Sequence, residues 1–238
     1  MAGQTNSMVT RVRPVFGWLR DNAGENWPEQ LVKLANVTGL KRCGRFVRME
    51  LERERKVPPT RERLIWMLEN VERLAPRDGK RWEELRGRVA NRDQVLRAHA
   101  NGSSLPRKYV LEGPTHSDCL IECADAFIWI EGKRNDWLST SIDWDLSRDQ
   151  LARNLEAVWS VAQKKEKDYC LIISYEHELK HHETALIDGY PDQTWSAGWP
   201  HVPAGQLAEF SKRIGTITWA EIAKHWSIPA DNELADLL

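Results

Sequence analysis

The sequence lacks the features that would place it in a membrane or an oxidising compartment. No apolar run approaches the roughly 20 residues a helix needs to span a bilayer, and the opening residues, MAGQTNSMVTRVRP, have no apolar centre of the signal-peptide kind. A cytoplasmic protein without a membrane partner is expected. Cysteine is scarce: Cys43, Cys119, Cys123 and Cys170 form no CxxC pair. Three of them sit in apolar runs, where a reduced thiol behaves as a small buried hydrophobe, so neither disulfides nor a cysteine-zinc site is expected. There is also no GxSxG, no GxxxxGK[ST] and no GxGxxG, which removes the serine-hydrolase, P-loop and dinucleotide-binding readings. No internal repeat is visible.

What is present is a chain of 238 residues, long enough for one large domain or a domain with an appendage. Its net charge of -1 hides an asymmetry. Residues 1–110 hold 23 Lys and Arg against 13 Asp and Glu, and the remainder holds 11 against 22. A basic half suits a polyanionic partner, whereas segments such as MELERERK also read as a solvated helical face with paired charges. Of the 12 tryptophans, five (Trp18, Trp66, Trp129, Trp137 and Trp159) directly adjoin a Leu, Ile or Val, which favours core filling over base stacking for them.

The N-terminal region reads as helices. One opens at Arg13–Leu19, another runs from Trp27 to Leu34 with Pro28 near its start, and Thr60 after Pro58-Pro59 can cap a third with a Leu64, Ile65, Leu68 stripe. Trp82, Leu85 and Val89 continue at helical spacing, and Asn101-Gly102-Ser103-Ser104 ends the block. Then the period changes. Tyr109-Val110-Leu111, Cys119-Leu120-Ile121 and Ala126–Ile130 read as three successive strands. Ser147 can cap a helix through Leu151, Leu155, Val158, Trp159 and Ala162, and Tyr169–Ile173 supplies a fourth, buried strand. A loop-rich tail with Gly189, Pro191 and Pro203 leads to an amphipathic stretch from Gln206 to Trp226. The expected organisation is an N-terminal helical region over 1–79 packed on a core over 80–176, with a loop and helical tail over 177–238.

Within LEGPTHSDCLIECADAFIWIEGKRND, residues 111–136, Asp118 starts one strand, and the next ends in Glu131-Gly132-Lys133. Alternation points Glu131 and Lys133 the same way, and the short Cys123-Ala124-Asp125 turn brings Asp118 opposite them. Two carboxylates and an ammonium then converge, an arrangement a divalent cation would compensate. Mg²⁺ or Mn²⁺ suits it, because such a cation takes few carboxylate oxygens, keeps waters and accepts a phosphate oxygen, leaving Lys133 to orient the attacking water.

Asp118 with Glu131-x-Lys133 and its flanking strands resembles the PD-(D/E)XK nuclease superfamily. Glu112-Gly-Pro-Thr115 and Arg148-Asp-Gln150-Leu-x-Arg153-Asn154 are similar to an uncharacterised bacterial family within it. The resemblance covers residues of about 80 to 175. It implies an α/β fold with a restriction-endonuclease-like mixed sheet of at least four strands flanked by helices, and Mg²⁺-dependent hydrolysis of nucleic acid, with DNA the expected substrate. It further implies Asp118 and Glu131 as metal ligands, Lys133 at the nucleophilic water, Gln150 as support, and a homodimer as a common assembly. Ser117 replaces the proline that precedes the Asp in the superfamily. For the additional glutamate that the resemblance implies in the metal shell, Glu112 is the expectation, with Glu62, Glu83 and Glu84 as alternatives.

Two other readings stand beside this one. HELKHHE, residues 177–183, contains the zinc-protease signature, with His177 and His181 as ligands and Glu178 as base. It is charged at nearly every position and has no recognisable third ligand, so a solvated polar segment is the expectation. A nucleic-acid binder without catalysis is the second. Residues 218–229, TWAEIAKHWSIP, have a helix-turn-helix flavour, but no recognition helix follows, and a helix that closes the core is expected.

Overall fold

The structure, a computed structural model, describes residues 7–22, 34–35, 38–40, 43–51, 55–74, 79–89, 92–100, 111–133, 138–139, 141, 144–176 and 199–229. A five-stranded mixed sheet organises them. In chain order its members are β1 (Phe46–Glu50), β4 (Cys119–Cys123), β5 (Ala126–Gly132), β6 (Asp168–Tyr175) and β7 (Ile214–Thr218), and they lie side by side in that order. β1, β4 and β5 run antiparallel, whereas β6 and β7 run parallel to β5. A two-stranded ladder, β2 (Lys56–Val57) with β3 (Thr115–His116), stands apart from the main sheet.

Alternation along the buried strands sorts their side chains onto two faces. Ile128 and Ile130 of β5 meet Cys119 and Ile121 of β4 beneath α1 (Arg13–Asn22), which contributes Val15, Phe16 and Leu19. Phe127 and Trp129 join Leu171 and Ile173 beneath the long helix α5 (Gln150–Gln163), whose Leu151, Leu155, Val158 and Ala162 recur at helical spacing. A third cluster, Met67, Leu68, Val71, Leu74, Leu85 and Leu111, gathers α2 (Arg61–Glu69) and α3 (Gly79–Arg88), and Leu96 of α4 (Arg92–Ala100) packs against it. After α6 (Ala204–Phe210) and β7 the chain turns into α7 (Trp219–His225). A Thr218–Glu221 capping box starts that helix, and Trp219, Ile222 and Ala223 are buried on the α1 face.

Several expectations need revision. Of the strand expected at residues 109–111, Tyr109 and Val110 lie outside the described residues, and Leu111 belongs to the third cluster. Phe46–Glu50 fills the sheet edge beside β4, inside the region read as helical. Its exposed Val47 sits at a bulge, and Arg48 and Glu50 interrupt the apolar pattern, which hid the strand among charges. β7 falls within the amphipathic stretch from Gln206 to Trp226 expected as helical tail, so the segments 1–79, 80–176 and 177–238 all contribute strands to a single sheet. Asp149, not Ser147, caps α5. Its Oδ1 accepts from Ala152 N at 2.7 Å, while Ser147 bonds to Asp145. Thr60 caps α2 as expected, accepting from Arg63 N. All four cysteines are buried and reduced. The Trp27–Leu34 helix is described only at Leu34, and HELKHHE lies outside the described residues.

Gly132 ends β5 against the N-terminal turn at Met8–Val12 and against α7. A Cβ there would collide with Val12 Cγ2 and come within 3.0 Å of Trp219 Cζ2. Gly132→Ala is therefore expected to cost about 1–3 kcal/mol through overpacking, read as a lower urea midpoint at unchanged slope. A wild-type midpoint in that variant would refute the tight approach.

Candidate active site at the end of the central strand

The site is built by the end of β5 and the first two turns of α5. Glu131 follows Phe127 and Trp129 onto the face that α5 covers, and only 5 % of its surface is exposed. A carboxylate in that position needs hydrogen-bond donors. Gln150 and Asn154, one helical turn apart on α5, supply two: Gln150 Nε2 donates to Oε1 at 2.6 Å and Asn154 Nδ2 to Oε2 at 2.8 Å. Lys133 Nζ lies 3.0 Å from the same Oε1 and donates to Gln150 Oε1 at 3.1 Å. Gln150 thus bridges the acid and the ammonium.

The backbone around these groups is pinned. Lys133 N donates to Ser174 O at 2.7 Å, extending the pairing with β6, and Lys133 O accepts from Trp219 Nε1 at 2.9 Å. Ser139 N donates to Gln150 Oε1 at 3.1 Å, and Gln150 N to Ser139 O at 2.7 Å. Cys119 pairs with Ile130 across the β4–β5 hairpin, so the next pair in that register is Asp118 with Glu131. Asp118 Oδ2 accepts from Gly132 N at 2.7 Å, between Glu131 and Lys133 in sequence. The four residues singled out as Asp118, Glu131, Lys133 and Gln150 are brought together. Asn154 went unassigned in the sequence, although its place four residues after Gln150 within an apolar stripe was a usable signal.

Glu112 goes elsewhere. It is buried where Arg63 Nε donates to Oε2 at 3.0 Å, and Arg148 reaches Oε1 and Oε2 at 3.2 Å each. Arg63 also donates to Asp145 Oδ2 at 2.7 Å. Arg148 also donates to Glu156 of α5, whose Oε1 accepts from the Thr60 hydroxyl and lies 3.0 Å from His201 Nε2. Burial alone would raise the pKa of Glu112, yet Arg148 and Arg63 hold it below the ordinary value. Glu156 is likewise held far down against its burial, by Arg148 first and then His201 and Thr60. With its oxygens engaged by two guanidiniums, Glu112 is placed as an ionic tie between α2 and the loop ahead of α5, which argues against the metal-shell role. Of the alternatives, Glu62 and Glu83 are exposed on α2 and α3, helices of the third cluster.

Among the described residues no three His, Cys, Asp or Glu side chains gather into a metal site. The Asp118–Glu131 pair falls below that number. Each carboxylate oxygen carries two lone pairs. Glu131 Oε2 accepts from the Asn154 amide and Asp118 Oδ2 from the Gly132 N–H, and carboxylate oxygens are the hard ligands that a cation keeping most of its waters could take. Among the described residues no helix is long and apolar enough to cross a membrane. In comparisons with known proteins, the chain matches no protein-family model, no curated protein and no solved structure.

The buried ion pairs give an acid-sensitive fold. Glu112 and Glu156 titrate below the ordinary glutamate value of 4.5 when folded, so they add stability above that pH and lose it as pH falls toward their folded values. Urea stability should accordingly decline below about pH 5. Glu156→Gln should cost about 3 kcal/mol at neutral pH by leaving Arg148 short of a partner, and should flatten the acid decline. An acid decline as steep as the wild type's in that variant would contradict this account.

Proposed function

We propose that this chain is a metal-dependent nuclease with a restriction-endonuclease-like core, hydrolysing phosphodiester bonds of nucleic acid, DNA foremost. The observation that carries the reading is the cluster at the end of β5: Glu131 shared by Lys133 and Gln150, with Asp118 bonded to the intervening Gly132 amide. The β4–β5 hairpin followed by α5 and the parallel strand β6 supports it, in the order the resemblance implies, although the third antiparallel strand, β1, comes from outside residues 80–175. Asp118 and Glu131 would hold Mg²⁺ or Mn²⁺, which supplies Lewis-acid polarisation of a phosphoryl oxygen and a more acidic bound water. Lys133 places an ammonium beside Glu131, where it orients a water and offsets charge developing on phosphate. Gln150 and Asn154 fix the Glu131 carboxylate so that little reorganisation accompanies the reaction. The basic bias of residues 1–110 suits a phosphate backbone, with binding that weakens steeply as salt rises.

The test is cleavage of single- and double-stranded DNA and RNA with Mg²⁺ or Mn²⁺. Asp118→Ala and Lys133→Ala should each lower the rate at least about 100-fold, and Asn154→Ala about 10–100-fold by loosening the Glu131 carboxylate, with urea midpoints reported alongside. A wild-type protein inert on every substrate, or a Lys133→Ala variant that cuts at the wild-type rate, would overturn the proposal. Salt-sensitive binding without cleavage would instead identify a nucleic-acid binder.

A further inference from the structure

Beside Glu131 a cleft of about 250 Å³ opens between α5 and strand β3. Gln150 and Asn154 form one wall, and the same two amides donate to Glu131, so the cleft adjoins the candidate active site. Thr115, His116 and Ser139 line the other sides. Among the described residues that line it there is no carboxylate, and Arg153 is its one permanent charge. At about 30 Å³ per water it holds about eight waters, room for a phosphate and its sugar but less than a drug-sized ligand fills.

Arg153 is set for an anion. Its Nη2 is held by the carbonyls of Gly113 at 3.4 Å and Pro114 at 3.2 Å, which orients the guanidinium plane. Glu112 lies 3.6 Å from its Nε but is engaged at shorter range by Arg63 and Arg148, so it neutralises Arg153 incompletely. Partial burial lowers the Arg153 pKa, the signature of a cation short of solvent, and a guanidinium so placed stays protonated. A phosphate, which accepts from a guanidinium fork and from hydroxyls, meets both needs.

We propose that this cleft binds the phosphodiester next to the scissile one on a nucleic-acid strand, with Arg153 as the cation that grips it. The inference rests on the nuclease reading for the identity of the strand and adds where that strand runs. The experiment is fluorescence anisotropy of a fluorescein-labelled single-stranded oligodeoxynucleotide, with Ca²⁺ in place of Mg²⁺, on wild type, Arg153→Met and His116→Glu. His116 is exposed, so its variant keeps the test meaningful should Arg153→Met fold poorly. Arg153→Met, which removes a charge-assisted contact, and His116→Glu, which sets a carboxylate against the strand's phosphates, should each weaken binding about tenfold. Arg153→Met should also lower the slope of log K against log salt by about one, which a purely structural role would not do. Wild-type affinity and slope in both variants, from a protein that cleaves nucleic acid, would overturn the cleft and leave the nuclease reading standing. Arg153-dependent binding by a protein that never cleaves would support the cleft and sink the nuclease reading. Displacement of the probe by millimolar inorganic phosphate, lost in Arg153→Met, would identify a free-phosphate site and overturn the strand assignment.

Discussion

Glu131 sits at the end of a strand whose other residues are buried and apolar, and the free-energy cost of desolvating its carboxylate has to be met by donors nearby. Meeting that demand ties together much of the molecule. Two amides from the start of α5 and one ammonium from the strand's own continuation converge on it. Gln150 in turn anchors the Ser139 backbone, and the Lys133 backbone is fastened to β6 through Ser174 and to α7 through Trp219. A hydrogen bond to a charged group contributes about 1.5–3 kcal/mol, and a donor removed beside a buried carboxylate costs more than the bond itself. The site and the docking of α5 are consequently one structural problem.

Two buried glutamates show how partners separate roles. Glu112 belongs to a buried cluster in which Arg63 and Arg148 face Glu112, Asp145 and Glu156 at short range, with Arg153 at its edge, 3.6 Å from Glu112, so its carboxylates are already met by guanidiniums. Glu131 faces mostly neutral amides, and Lys133 is shared over a region that also contains Asp118. Carboxylates matched by guanidiniums stabilise or orient, whereas a buried carboxylate held chiefly by neutral amides is a setting in which a cation gains more. Residue type alone did not distinguish the two glutamates.

Legibility in the sequence followed the range of the forces involved. β4, β5, β6 and α5 were readable because their apolar periodicity is strong, and the β4–β5 turn is short enough to set the register that brings Asp118 opposite Glu131. β1 was not, since an edge strand is half solvated and carries charge. Its pairing with β4 also joins segments far apart in the chain. The fate of Glu112 was hidden for the same reason: its partners Arg63 and Arg148 come from α2 and from the loop before α5, and no local pattern announces a buried ion network. Asn154 was half visible, quoted in a motif but given no task until the rotation of α5 was known.

That rotation is fixed by polar contacts more than by apolar packing. Leu151, Leu155, Val158 and Ala162 would let α5 lie on the sheet with some freedom of twist, because hydrophobic contact is non-directional. Gln150 and Asn154 on one flank must meet Glu131, and Glu156 on the other must meet Arg148, His201 and Thr60. Turning the helix by one residue, about 100°, would carry both sets away from their partners and leave buried charges unmatched, at several kcal/mol each. The two polar clusters therefore act as opposed stops on the same helix. The precision of the Glu131–Lys133–Gln150 geometry then depends on a Glu156 network that touches none of those three residues.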